Sequence, residues 1–275
     1  MVVAFEDDLD LDKIAESGQC FRWKKTEKDM WQIITGKEIL YIKEIEKGLF
    51  DFDCTEDAYE NVWKNYFDMQ QSYAEIRSMI SLQKDLFLYQ AAEYGKGIRI
   101  LRQDPWETLI SFIISQRKSI PAIKTAIEKL CETAGDAIMV SNGEIRYTFP
   151  TPDQMIILTK EQLEKCGLGY RTGYIQAAVH RVISAEIDLN QVDQLADQEL
   201  LEKLSEFYGV GNKVANCTML FGYHRLDSFP KDVWINRVLE HEYAAGYPYE
   251  QYCPYNGVMQ QYMFLYYRIN KKNGI

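Results

Sequence analysis

Lys213 stands two residues after the glycine turn Gly209-Val210-Gly211, and Asp232 follows nineteen residues further on, in Phe-Pro-Lys-Asp-Val-Trp. An amine and a carboxylate so placed suit covalent chemistry beside a bound anion. Glycines at 209 and 211 free the backbone to take positive φ and approach a large anion, so that the amides of the turn and of the next helix start face a phosphate. A lysine in the first turn of that helix, near its positive end and partly withdrawn from water, loses its proton more readily and attacks carbon as a free amine. An aspartate opening the following helix is kept ionised by the helix terminus and stabilises positive charge as it develops. Each residue also has a plainer role: a tight turn, a phosphate contact without catalysis, a helix cap.

Helices must position these groups, and the pattern predicts them. Leu-Ala-Asp-Gln-Glu-Leu-Leu-Glu-Lys-Leu-Ser-Glu-Phe (195–207) leads into the turn, and Tyr174–Glu186 is amphipathic. Asp104-Pro105-Trp106-Glu107 reads as a capping box with proline at the first helical position, ahead of the apolar run Thr108–Ser115. Ser119-Ile120-Pro121 opens a helix to about Glu132, Thr151-Pro152 and Thr159 open short ones, and a possible short strand lies around Ile145–Phe149. Upstream, Met30–Phe52 alternates apolar and polar residues in runs broken at Gly36 and Gly48, the period of antiparallel strands. From about Cys54 the spacing turns helical, and the strand-rich part ends near Gly95–Gly97. The expected fold class is α+β, with a strand-rich antiparallel domain over 1–96 and a mostly helical domain over 97–275.

Composition narrows the classes. The 275 residues are 47% hydrophobic, enough for a full core. The acidic start lacks the layout of a secretory signal and no apolar run approaches membrane length, so an intracellular location is expected: cytoplasm or nucleoid in a prokaryote, nucleus in a eukaryote. Six scattered cysteines and three dispersed histidines argue against zinc and a disulfide framework. The net charge of −10 runs against phosphate binding, but residues 1–100 carry −7 of it and the remainder only −3. Hairpin and helix amides grip phosphates without formal charge.

The turn, the lysine and Pro-Lys-Asp-Val together resemble the helix-hairpin-helix DNA glycosylases. Ser17–Trp23, Ile100–Ile113, Gly-Leu-Gly-Tyr-Arg (167–171), Gly209–Cys217, Phe229–Val233 and Pro254–Phe264 narrow the resemblance to the 8-oxoguanine DNA glycosylases, over nearly the whole chain. That family implies two helical subdomains with the active site in the cleft between them. It implies double-stranded DNA containing 8-oxoguanine as partner and a monomer; no membrane is expected, the chemistry requires no metal or organic cofactor, and an alkali-metal ion held by hairpin carbonyls stays open in the superfamily. The closely spaced cysteines of the iron–sulfur branch are absent.

The resemblance also implies roles. Lys213 is the nucleophile of a bifunctional glycosylase that excises 8-oxoguanine through an imine and then cuts the strand by β-elimination, and Asp232 is the second catalytic group. Gly18 offers the carbonyl that senses the extra N7 proton of the oxidised base. Cys217 and Phe264 sandwich the flipped base, and Gln260 reads its Watson–Crick edge. Tyr170 is the wedge and Arg171 contacts the orphaned cytosine, while Gly209 and Gly211 hold the backbone. Lys213 with Cys217, and Gln260 with Phe264, are four residues apart and share helix faces.

Three positions depart from the family. Arg117 replaces the asparagine that helps fill the vacated space, Ala122 replaces an arginine that reads the opposite cytosine, and Trp234 replaces a histidine beside a phosphate. The first two predict weaker discrimination among opposite bases. Two other readings stay open: a related glycosylase for other damaged bases, and a non-catalytic DNA-binding module.

Overall fold

The computed structural model describes residues 1–140 and 143–272. Five antiparallel strands form one sheet: β1 (Val2–Ala4), β2 (Trp23–Lys25), β3 (Trp31–Thr35), β4 (Glu38–Glu46) and β5 (Leu49–Asp53), in the order β1-β5-β4-β3-β2. The breaks at Gly36 and Gly48 are the turns joining β3 to β4 and β4 to β5, and both glycines have positive φ. Alternation sends Ile33, Leu40, Ile42, Phe50 and Phe52 to one face, where they are at most 1% exposed and meet Trp63, Phe67 and Ile14. The edge strands β1 and β2, three residues each, are too short to show that period in the sequence.

The rest is helical apart from a two-stranded ribbon, β6 (Ala137–Met139) with β7 (Ile145–Tyr147). Of the ribbon, the sequence marks only the second strand. Proline-led helices run over Pro105–Ser115 and Ile120–Ala134, as expected. The capping box expected at Asp104 is only half formed: Asp104 accepts the Glu107 amide at 2.8 Å, but the Glu107 side chain does not return to the cap. Glu107 instead lines a small internal space with Cys20, Arg22 and Tyr66, and burial pushes its carboxyl up to about 7. Complete boxes occur at Thr151/Gln154 and Thr159/Gln162.

Arg99, which is fully buried, ties the segment that leads into the Pro105–Ser115 helix to loops of the N-terminal part. Its guanidinium donates to the carbonyls of Phe67 (2.9 Å), Asp8 (2.9 Å), Asp68 (2.5 Å) and Gln71 (2.6 Å) and to the Asp7 carboxylate (3.0 Å), and it lies over the Tyr73 ring at 4.3 Å. Tyr73, Ile76, Leu88 and Ala91 precede Arg99 in sequence, yet they pack into the same apolar cluster as the helices that follow it. Among the described residues no helix is long and apolar enough to cross a membrane.

Candidate active site

The Asp197–Ser205 and Asn212–Gly222 helices meet at the glycine turn, fixed from beneath by buried Leu204, Phe207, Val210 and Val214. Gly209 has φ +83°, and a Cβ there would lie 2.4 Å from the Tyr174 ring, so a side chain is excluded twice over. Gly211 departs from the expectation of positive φ. It is the N-cap of the Asn212–Gly222 helix, at φ −96° and ψ −179°, because a cap residue is extended. No side chain caps this helix, and the amides of Gly211, Asn212 and Lys213 meet no acceptor among the described residues. A bare positive helix end is left at the surface.

Beside it opens a cleft of about 570 Å³, lined in part by Gly18, Arg117, Lys213, Cys217, Asp232, Trp234, Gln260 and Phe264. Eight of the twelve site residues expected from the sequence therefore share one space. The Lys213 ammonium lies 4.7 Å over the Phe112 ring and 3.4 Å from the Ser115 hydroxyl. Phe112 is itself stacked on Phe221 at 5.5 Å, so the lysine rests on a rigid apolar floor. One turn along, Cys217 is buried, and that burial pushes its thiol up to about 11 against the pull of Lys213.

Asp232 caps the Val233–Glu242 helix by accepting the Ile235 amide at 2.8 Å. Burial raises its carboxyl above the ordinary aspartate value, opposed by the Ile235 and Trp234 amides and by the charge of Lys213. The helix terminus alone favours the charged form, and here desolvation outweighs it. Among the described residues Asp232 and Lys213 form no direct ion pair, so they interact through space across the cleft.

Gly18 enters from the N-terminal part. It has φ +77°, and a Cβ would stand 3.3 Å from the Phe264 ring. Its carbonyl accepts no hydrogen bond from the described residues. The loop is held by Gln19, which donates to the Arg99 carbonyl and the Ser17 hydroxyl, both at 2.9 Å, and accepts the Leu101 amide at 2.8 Å. Opposite, the Asn256–Lys272 helix presents Gln260 and Phe264. The Gln260 amide donates to the Pro230 carbonyl at 3.0 Å and accepts from Gln261 at 2.8 Å, which fixes its orientation and leaves one N–H and one lone pair free.

Tyr170, Arg171, Gly209 and Gly211 lie outside the cleft lining. Tyr170 is 54% exposed and meets Tyr174 edge-on at 5.7 Å, and Tyr174 meets exposed Tyr208 at 4.9 Å. Arg171 is turned inward: it donates to the Leu168 carbonyl at 3.2 Å and to the Gln116 carbonyl, and its guanidinium lies 4.4 Å over the Tyr170 ring. Gln116 in turn donates to the Gly209 carbonyl at 3.1 Å, so the wedge loop and the hairpin are tied through one residue. Arg117 is exposed at φ +52°, the left-handed region that asparagine tolerates better than arginine. Trp234 packs edge-on against Tyr267 at 6.4 Å. The sequence reading did not single out Phe112, Ser115, Tyr208, Gln261 or Arg268. Arg268 had a signal, since it continues the four-residue stripe of Gln260 and Phe264. Among the described residues no group of three or more His, Cys, Asp or Glu side chains is placed to hold a metal ion.

Residues 1–109 match the family model described as the 8-oxoguanine DNA glycosylase N-terminal domain, and residues 110–250 match that of the HhH-GPD superfamily base excision DNA repair proteins. Among solved structures, MBOgg1 in complex with a low-affinity DNA ligand is 37% identical with a TM-score of 0.91, over 98% of this chain and 96% of that one. The 8-oxoguanine glycosylase/lyase of Clostridium acetobutylicum, in complex with double-stranded DNA carrying cytosine opposite 8-oxoG, is 34% identical with a TM-score of 0.89, over 100% and 99%. The N-glycosylase/DNA lyase of Saccharomyces cerevisiae is 28% identical over 87% of this chain and 69% of its own. With a lysine at the hairpin, an aspartate across the cleft and agreement along the whole chain, this protein belongs to the 8-oxoguanine DNA glycosylase family of the HhH-GPD base excision repair superfamily.

Proposed function

We propose that this chain excises 8-oxoguanine from duplex DNA and then cleaves the strand at the resulting site. The observation that carries the reading is the placement of Lys213 at the mouth of a bare hairpin helix, in one cleft with Asp232, Gly18, Cys217, Gln260 and Phe264. A glycosidic bond inside a duplex is out of reach, so the lesion must be turned out of the stack. The hairpin amides hold the backbone phosphate while Tyr170 and Arg117 occupy the vacated space. Phe264 and Cys217 cover the two faces of the base and Gln260 reads its edge. The Gly18 carbonyl accepts the N7 proton that guanine lacks.

Chemistry follows in balanced steps. The neutral Lys213 nitrogen bonds to C1′ as the C1′–N9 pair leaves with the base, which takes up a proton. Ring opening gives an imine, loss of a C2′ proton drives out the 3′ phosphate, and water returns the free amine. Asp232, when ionised, stabilises positive charge on the sugar and orients the lysine.

The partner proposed is double-stranded DNA met by a monomer, and work on DNA places the protein inside the cell. The alternative of an alkylation-type glycosylase is disfavoured by Lys213, and a purely binding module has no use for a lysine and an aspartate facing one cleft. An end-labelled duplex with 8-oxoguanine opposite cytosine tests the reading. Free 8-oxoguanine and a β-elimination product are expected, and an intact strand after hot alkali would exclude it.

A further inference from the structure

Arg268 lines the same cleft, one turn beyond Phe264 on the C-terminal helix. It is 9% exposed, and its Nε and Nη1 are buried without a hydrogen-bond partner among the described residues. The guanidinium rests 5.4 Å over the Phe264 ring, and no carboxylate of the described residues stands within ion-pair distance. Burial pulls its pKa below the ordinary arginine value, with Glu16 and Asp232 acting at a distance in the other direction. A buried cation with unmet donors is destabilising, and buried guanidinium groups are ordinarily satisfied by a carboxylate or by carbonyls. Arg99 in this same molecule, with every N–H engaged, shows the contrast. Elsewhere in the lining of this cleft the Gln261 carbonyl oxygen is also buried without a partner among the described residues. The cleft wall thus keeps both a forked donor and an acceptor in reserve.

We propose that Arg268 is a substrate-binding residue whose free Nε–H and Nη1–H donate to an oxygen acceptor of the extruded nucleotide. The inference rests on the reading of this cleft as the pocket for a turned-out nucleotide. The fork of an arginine suits either a carbonyl oxygen of the base or the oxygens of its flanking phosphodiester. The Phe264 face holds the fork in place, so little side-chain freedom is lost on binding.

The test is made in a Lys213→Gln parent, with affinities measured for duplexes carrying 8-oxoguanine, a tetrahydrofuran abasic analogue, or undamaged guanine. If the parent does not prefer the 8-oxoguanine duplex to the undamaged one, the reading of the cleft itself fails. Given that preference, adding Arg268→Met is expected to weaken lesion binding by roughly 10- to 100-fold, the range for a hydrogen bond to a charged group. A loss confined to the lesion duplex assigns the acceptor to the base. An equal loss on the abasic analogue, with the salt slope reduced by about one contact, assigns it to the phosphodiester. Unchanged affinity for both overturns the proposal. Methionine keeps the stem without the unpaired charge, so Tm is expected to hold or rise, which separates binding from folding. Should the methionine variant fail to fold, Arg268→Lys decides: a lesion affinity within about twofold of the parent overturns the proposal, and a larger loss at unchanged Tm upholds it.

Discussion

Asp232 shows how far a single residue departs from what its sequence position suggests. An aspartate at a helix start is expected to ionise easily, yet burial raises its pKa here. Its charge is therefore a cost to the folded state at neutral pH, present above the raised pKa and relieved as pH falls through it. Asp232→Asn keeps the cap, since asparagine caps as well as aspartate. The variant is expected to hold or gain Tm at pH 7.5 while losing at least about a hundredfold in kcat, the lower range for a preorganised charge. The acid limb of the wild-type kcat profile is expected to lie above the range of an ordinary aspartate and to vanish in the variant. A large loss of Tm would mean that the residue matters mainly as a cap. Arg117 makes a second case. Its left-handed backbone, with φ at +52°, carries strain that Arg117→Asn is expected to relieve by about 1 kcal/mol in urea unfolding. Ala122 is exposed, and its methyl group offers none of the hydrogen-bond donors of an arginine. Excision opposite adenine, guanine and thymine is expected to stay within about tenfold of that opposite cytosine, and exclusive activity on the cytosine pair would contradict this.

At the scale of elements, the sequence was legible wherever a period or a cap announces itself. The strands β3 to β5 alternate cleanly, the proline-led helices carry their prolines within the first two positions, and Lys213 falls in the first turn of the hairpin helix. The three-residue strands β1, β2 and β6 were hidden because their pairing depends on distant partners rather than local pattern. Gly211 was misread because a glycine next to a turn has two uses, positive φ or an open extended cap, and the sequence does not distinguish them. The box at Asp104 is half formed because the Glu107 side chain lines a small space with Cys20, Arg22 and Tyr66 instead of returning to the cap. This has a thermodynamic consequence. With its folded pKa raised to about 7, above the ordinary glutamate value, Glu107 costs stability at pH 8 and next to nothing below about pH 4.5. Glu107→Gln is expected to stabilise the protein at pH 8 by roughly 1 to 3 kcal/mol, a difference that shrinks to zero by about pH 4.5. A stabilisation independent of pH would show that the carboxyl is not desolvated. In the hairpin, Gly209→Ala drives a methyl into Tyr174 and forces a strained φ. A loss of at least about 2 kcal/mol is expected, together with weaker binding to an abasic-analogue duplex.

For the whole molecule, the site is assembled from segments that are far apart in sequence: Gly18, the hairpin, the loop before Asp232 and the C-terminal helix. Their types and spacing suggested which residues would meet, because Lys213 with Cys217 and Gln260 with Phe264 are helical neighbours. Burial and orientation were not legible, because they depend on packing between elements. That is why the inward turn of Arg171 and the unpaired guanidinium of Arg268 emerge only in three dimensions. Tyr73, Leu88 and Ala91 fill the core shared with the later helices, and Arg99 ties Asp7, Asp8, Phe67, Asp68 and Gln71 to the segment that leads into them. A fragment of residues 97–275 is therefore expected to lack a cooperative thermal transition, and one that unfolds cooperatively would show an independent core. The most direct test of the central claim is borohydride trapping on an 8-oxoguanine·cytosine duplex. The wild-type protein is predicted to form a covalent protein–DNA adduct, lost in Lys213→Gln even though that variant still binds the lesion. Strand cleavage without an adduct, or an adduct that survives the substitution, would contradict the assignment of Lys213 as the nucleophile.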